Sequence, residues 1–458
     1  MNTSKVIRFR CFVLAMVLGL AAGNGLWGWG GKPHAVITRA ALEALPGWEK
    51  EIWAAVIPKI IDEYCRIPDF YLSRPDLAGY AILDDYQVKF TEYDYRIQQE
   101  FFIRNGHYHL PCDQKMNFRI YEFFLERIVA SLKAKKVEDA AKFAGVLLHV
   151  IEDFSAPSHT VTGDNQFYLF MQFLPPPEKF KYARLHGPIE SGNVSAAIPD
   201  YRPKLLGASP SEAAFHLHRL MNQNIIQARG KVIPIIQAIY REDAPAADAE
   251  NSVMAARAAQ VAADMLDSAF QIAYGRSDAA ELAALREFDI SELIAMEATD
   301  LAWRQPQSCR PTGYPSSNMI LNRDRQPQPL KMITDQSGKR TEKTFPTGIA
   351  AGTRVSLTGE PCVLSYLVPE NVYDRFEVTA GLHSTMAVDG AVVFQVRGNG
   401  KVLFESGPRT KKDPAVDIRV PLKGIKEIQI VAFPDTKEAA DNYVVWGEPR
   451  LIKKSTEP

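Results

Sequence analysis

The chain has 458 residues, 46% hydrophobic and 23% charged, the composition of a globular protein of two or three domains; a disordered or fibrous chain is excluded. Lysine and arginine number 53 against 54 aspartates and glutamates, a net charge of -1. That balance argues against a protein that grips nucleic acid through a broadly basic surface.

Residues 1–28 read as a signal peptide. Lys5, Arg8 and Arg10 form a basic start, and residues 11–22 form an apolar run too short to span a bilayer. Nothing downstream is apolar and long enough to cross a membrane, so a secreted protein, periplasmic or extracellular, is expected, with no transmembrane helix in the mature chain. Cys11 leaves with the leader. In an oxidising compartment Cys65 is expected to pair with Cys112 and Cys309 with Cys362, each pair within one domain.

Residues 29–280 carry apolar residues at three- and four-residue spacing, in AVITRAALEAL, FRIYEFFLERIVASL, AAKFAGVLLHVIEDF and AARAAQVAADMLDSAFQIAYG. Several long amphipathic helices predict an all-α domain. Residues 281–317 are expected to hold the rest of a further helical stretch, AAELAALREFDISELIAM, and a linker in which Pro306, Pro311 and Pro315 forbid regular structure. Over residues 318–458 the period becomes two. VVFQV, VLF, VDIRV, EIQIVAF and YVVW are short strands, with Gly398-Asn399-Gly400 a hairpin signal between the first two, and the whole predicts a β-sandwich. The expected architecture is multidomain, all-α followed by an all-β jelly-roll sandwich.

The nine histidines fall in an informative pattern. In LLHVIEDFSAPSH, His149 and Asp153 share one helical face about 6 Å apart, within reach of one metal ion, and His159 follows Pro157. WGGKPH supplies Trp29 and His34, RIPDF supplies Asp69, GHYH supplies His107 and His109, and RLHGPIE supplies His186 and Glu190, again four apart. These imidazoles and carboxylates suffice in number for a multi-zinc cage. Gly187 and Pro188 disfavour a long helix around Glu190, and His216, His218 and Asp164 stand as alternatives.

By the order and spacing of these fragments, residues 29–275 resemble the zinc-dependent phospholipases C of bacteria and the related single-strand-specific nucleases. The resemblance implies an all-helical fold holding three zinc ions. Asp153 would bridge two of them, one also bound by Asp69, His107 (or His109) and His149, the other by His34 and the amino group and carbonyl of a mature first residue Trp29. The third would take His159, His186 and Glu190. Such ions activate water and offset phosphoryl charge, with Asp69 the candidate general base. The implied activity is phospholipase C on a phospholipid, which also implies peripheral membrane contact. A single-strand nuclease or 3'-nucleotidase on the same cage is the alternative, and a non-catalytic glycan-binding surface protein with structural zinc is a third reading. Phe167, Tyr168, Phe170, Phe173 and Leu174 could form an apolar lip of the cleft or pack beneath their own loop.

FEVTAGLHS, AVVFQVRGNGKVLFESGP, IRVPLKGIKEIQIVAF and DNYVVWGEPRLI resemble carbohydrate-binding modules of the NPCBM type, of galactose-binding-like jelly-roll fold. That resemblance implies a glycan partner. Asp441, Asn442 and Trp446 are candidates for sugar contact, though Trp446 on an alternating strand also fits a core position.

Overall fold

The structure, a computed structural model, describes residues 31–66, 68, 114–160, 171–182, 185–190, 192–298, 319–321, 326–352, 362–435 and 442–454. Chain contacts divide it into two compact units, residues 1–110, 136–203 and 224–263 in one, and 111–135, 204–223 and 264–458 in the other.

The first unit is helical among the described residues. It contains α1 (Gly31–Glu43), α2 (Gly47–Trp53), α3 (Ile57–Asp62) and a 3-10 turn, Tyr64–Arg66. The helix preceded in sequence by α4 (Gln114–Lys133) is α5 (Val137–Ser155), followed by a second 3-10 turn, Pro157–Thr160, and the five-residue α6 (His186–Glu190). Two long helices, α7 (Pro210–Tyr240) and α8 (Ala244–Tyr274), contribute residues to both units.

From Phe143 to Ser155, α5 is buried on every side, which fits a run whose only interruptions of apolar character are His149, Glu152, Asp153 and Ser155. Gly145 lies against the Tyr64–Arg66 turn so closely that an added Cβ would meet the Tyr64 side chain and sit 2.5 Å from its carbonyl carbon. This approach brings the backbone of Cys65 up to α5 one turn before Asp153. Cys65 itself is buried, its thiol donating to the Ile61 carbonyl at 3.2 Å. Cys112, Cys309 and the Cys362 side chain lie outside the described residues, so the expected pairings do too.

In the second unit the expected helix over 279–296 is corrected. Only its first six residues form an α-helix, α9 (Ala279–Ala284), capped by the Asp278 carboxylate, which accepts from the Ala280 and Glu281 amides, and Ile290–Glu292 form a 3-10 turn. Then β1 (Glu287–Asp289) and β2 (Glu297–Ala298) join the sandwich. Phe288 is buried between two less buried neighbours, the alternation of a half-buried strand, and strand pairing overrides the local helical spacing.

One antiparallel sheet runs β1, β13 (Tyr443–Ile452), β8 (Arg375–Leu382), β11 (Val416–Pro421), with β6 (Gly348–Gly352) also on β13. The other runs β10 (Lys401–Arg409), β9 (Val392–Gly398), β12 (Glu427–Pro434), β7 (Cys362–Leu367), β2. A third, three-stranded sheet holds β3 (Met319–Leu321), β4 (Pro327–Gln336) and β5 (Lys339–Phe345). The β9–β10 hairpin closes through Asn399 and Gly400 with φ of 48° and 80°, so positive φ at both central residues is what the Gly398-Asn399-Gly400 signal encoded. Within this unit Phe215 of α7 packs edge-on against Phe288 and Tyr373, and His216 Nε2 lies 3.2 Å from the Tyr373 hydroxyl. No described helix is long and apolar enough to cross a membrane.

Candidate metal centre

Asp153 is the hub. It sits in the last turn of α5, one turn after His149, with His149 Nε2 3.1 Å from Oδ2 and His34 Nε2, reaching over from α1, 3.5 Å from Oδ1. His159 Nδ1, from the turn after Pro157, is 3.9 Å from Oδ2. The chain turns back at Ala156, whose extended backbone ends the helix and whose carbonyl accepts from the His159 amide at 3.0 Å. Three imidazoles from separate segments thus converge on one carboxylate, and all four side chains are buried.

The far nitrogen of each of the first two rings is fixed. His149 Nδ1 is 2.8 Å from the Cys65 carbonyl oxygen, and His34 Nδ1 is 2.5 Å from Glu152 Oε2. A carbonyl or carboxylate oxygen can only accept, so the hydrogen of each neutral imidazole sits on Nδ1 and the Nε2 lone pair points at Asp153. The two rings are stacked, centroids 4.3 Å apart and 17° from parallel. Acceptors facing one another at 3.1 and 3.5 Å would be reconciled by a cation between them. Zinc–nitrogen and zinc–oxygen bonds of about 2.0 to 2.2 Å place neighbouring ligands of a tetrahedral shell about 3.3 Å apart, so the donor set and its spacing fit zinc.

A second cluster continues from His159. Glu190 Oε1 lies 2.8 Å from His159 Nε2 and 2.5 Å from His186 Nε2. His186 and Glu190 are the two ends of α6, brought onto one face by the four-residue step. Pro188 is tolerated because the first helical turn has no intrahelical acceptor for its amide anyway. Leu185, just before the helix, and Ile189 anchor it in an apolar cluster with Val232, Ile235 and Ile236, and Asn251 Nδ2 donates to the Ile189 carbonyl at 2.8 Å. The helix is short, as Gly187 and Pro188 require, yet long enough to pair its two donors. Burial drives His159 towards its neutral form, against the opposing pull of Asp153 and Glu190. His186 is the open side of the pair of clusters, its side chain 20% exposed.

In each cluster every residue offers a donor atom within 4.8 Å of the others: His34, His149 and Asp153 in one, His159, His186 and Glu190 in the other. Six of the nine expected metal residues are thereby brought together. Trp29, Asp69 and His107, with the alternatives His109 and Asp164, lie outside the described residues. His216 and His218 are buried in the other unit, with Tyr373 and Asn222 as partners. Phe173 of the expected lip is 81% exposed, while Phe167, Tyr168 and Phe170 lie outside the described residues. Glu152 and Thr38 escaped the sequence reading. Their signal was present in outline: Thr38 is one turn after His34, as Asp153 is after His149.

The sandwich positions its own candidates differently. Trp446 is 1% exposed and packs edge-on against Phe394 at 5.5 Å, so it is core and not a sugar contact. Asn442 is also buried, accepting from the Val388 and Tyr443 amides and donating to the Val388 carbonyl, which ties a loop to the start of β13. That role corrects its reading as a sugar ligand. Asp441 lies outside the described residues.

Residues 298–452, which span β2 to β13, match the NPCBM/NEW2 domain family. The C-terminal part of the chain is a carbohydrate-binding module of that type. The NPCBM/NEW2 module is similar to solved structures at low identity. A CBM51 module of Clostridium perfringens GH95, in complex with methyl-galactose, is 18% identical, with 36% of this chain and 99% of that one covered at a TM-score of 0.28. The tandem CBM51 modules of the Streptococcus pneumoniae family 98 glycoside hydrolase are 16% identical, with 38% and 48% covered at a TM-score of 0.29. The CBM51-2 and INT domains of Clostridium perfringens ZmpB, in complex with GlcNAc, are 19% identical, with 36% and 31% covered at a TM-score of 0.27. No curated protein matches the chain.

Proposed function

We propose that this is a secreted zinc-dependent phosphoric ester hydrolase of the phospholipase C kind, held on a glycan by its NPCBM/NEW2 module. One observation carries the metal-dependent part: the Asp153 carboxylate faces Nε2 of His34 and His149, whose Nδ1 atoms are committed to acceptor-only partners. A buried arrangement of that kind is costly unless positive charge is shared across it, and a divalent cation supplies that charge.

The described ligands would be His34, His149 and Asp153 for one site and His159, His186 and Glu190 for the next. Zinc held there would supply Lewis acidity toward phosphoryl oxygens and lower the pKa of water to near neutrality. The chain's own part is to fix the rings, keep both carboxylates out of solvent and leave the His186 side open to an anionic phosphate ester. The near-zero net charge favours a phospholipid over a nucleic acid, and so does the resemblance, in which the phospholipases carry His-x-x-x-Glu, as at His186 and Glu190, where the nucleases usually carry His-x-x-x-Asp.

The family match over residues 298–452 supports glycan binding and does not bear on hydrolysis, so a second reading is a glycan-binding protein whose helical unit would keep zinc for stability alone. Metal analysis with three assays on the full chain separates them. Zinc-dependent release of phosphocholine from phosphatidylcholine supports the first reading, zinc-dependent cleavage of single-stranded DNA replaces it with the nuclease, and full zinc with retention on a glycan array but no turnover leaves the second.

A further inference from the structure

Glu152 is fully buried one residue before Asp153 and belongs to neither cluster of donors. Its Oε2 lies 2.5 Å from His34 Nδ1, and its Oε1 accepts from the Thr38 hydroxyl at 2.6 Å. Thr38 is itself buried and sits one turn after His34 on α1, so the two side chains reach the same carboxylate from one helical face. A carboxylate so enclosed is costly unless its oxygens are engaged, and here both are.

We propose that Glu152, steadied by Thr38, is a positioning residue: it keeps the hydrogen of His34 on Nδ1, turns Nε2 to Asp153, and so strengthens the hold of this cluster on a divalent cation. The inference rests on the reading of His34, His149 and Asp153 as zinc ligands. The partners of the two stacked imidazoles differ in kind. His149 leans on a neutral peptide carbonyl, whereas His34 has a full carboxylate behind it, which makes its Nε2 the more basic donor.

The test is zinc titration of the metal-stripped full chain in competition with a chromophoric chelator, paired with NMR of the imidazole nitrogens in the metal-free protein. Glu152→Ala is expected to weaken zinc binding by about 10- to 100-fold and to release His34 from the Nδ1-protonated form. Glu152→Gln, whose amide oxygen still accepts, is expected to recover most of that loss. A folded Glu152→Ala with the parent's zinc affinity overturns the proposal. Should that variant fail to fold, Thr38→Val decides, since it keeps the carboxylate but removes its support. A loss of about threefold or more bears the proposal out, and an affinity equal to the parent's overturns it. A parent chain that takes up no zinc overturns the metal reading and this inference together, whereas a zinc-binding parent with unaffected variants overturns this inference alone.

Discussion

His149 Nε2 and Asp153 Oδ2 stand 3.1 Å apart across one turn of a buried helix, with the Cys65 carbonyl fixing the far side of the imidazole. Asp153→Asn keeps the shape and removes the charge shared among His34, His149 and His159. Zinc affinity should fall by more than the roughly 10- to 100-fold that an outer partner is worth. Zinc content of the dialysed protein, measured by plasma mass spectrometry, checks this, and an unchanged stoichiometry would remove Asp153 from the ligand set.

Stability should depend on metal. Zinc at about 100 times its dissociation constant would raise the unfolding free energy by about 2.7 kcal/mol for each site filled, so a chelator should lower the melting temperature of the parent and lower that of Asp153→Asn, which keeps the His159, His186 and Glu190 cluster, by less. Calorimetry with and without chelator reads the difference.

Gly145 permits the contact that carries the Cys65 carbonyl to His149, and a Cβ there has the Tyr64 backbone in its way. Gly145→Ala should cost about 1 to 3 kcal/mol through overpacking and also weaken zinc binding, because α5 must shift away from its acceptor. Denaturant unfolding of the metal-free protein isolates the first effect. Full stability in the variant would contradict the close approach.

Acid should destabilise the second unit through two histidines that are not metal residues. Burial pushes His216 down to about 3 and His218 down to about 4, with Arg219 and Lys453 adding to the effect at His216. Both folded-state values lie below the unfolded value near 6.5, so the unfolded chain binds more protons between those limits. Their contribution is fully present above pH 6.5 and shrinks as pH falls, by up to about 1.4 kcal/mol per unit for each histidine until the folded value is reached. Denaturant melts from pH 7 to 4 should show the decline, and His218→Asn, if it folds, should flatten it.

Trp446→Ala should unfold the sandwich by about 3 to 5 kcal/mol, because a fully buried indole is lost from between the sheets. Glycan retention should then vanish only as the module unfolds. A folded variant that had lost its sugar would return Trp446 to the binding surface.

Much of the candidate site was legible because its spacing is local. The step from His149 to Asp153, and from His186 to Glu190, fixes a shared helical face whatever the rest of the chain does. The hairpin at Asn399-Gly400 and the short strand runs of β9 to β13 were legible for the same reason. Residues 287–289 were expected to be helical because their apolar spacing suits either period, and only pairing with β13 chose the strand. Trp446 and Asn442 showed the right chemistry for sugar, but which face of a strand is buried depends on the sheet packed against it.

The sequence by itself determined the change from helical to strand periodicity, the paired donors one turn apart, and the family of the C-terminal module. Tertiary structure alone decided that His34 and His159 reach the same carboxylate from opposite sides of His149 in the chain, and that Glu152 and the Cys65 carbonyl stand behind the rings. Periodicity is written in neighbouring residues, whereas the direction of a lone pair is set by whichever distant atom packs against the other side of the ring.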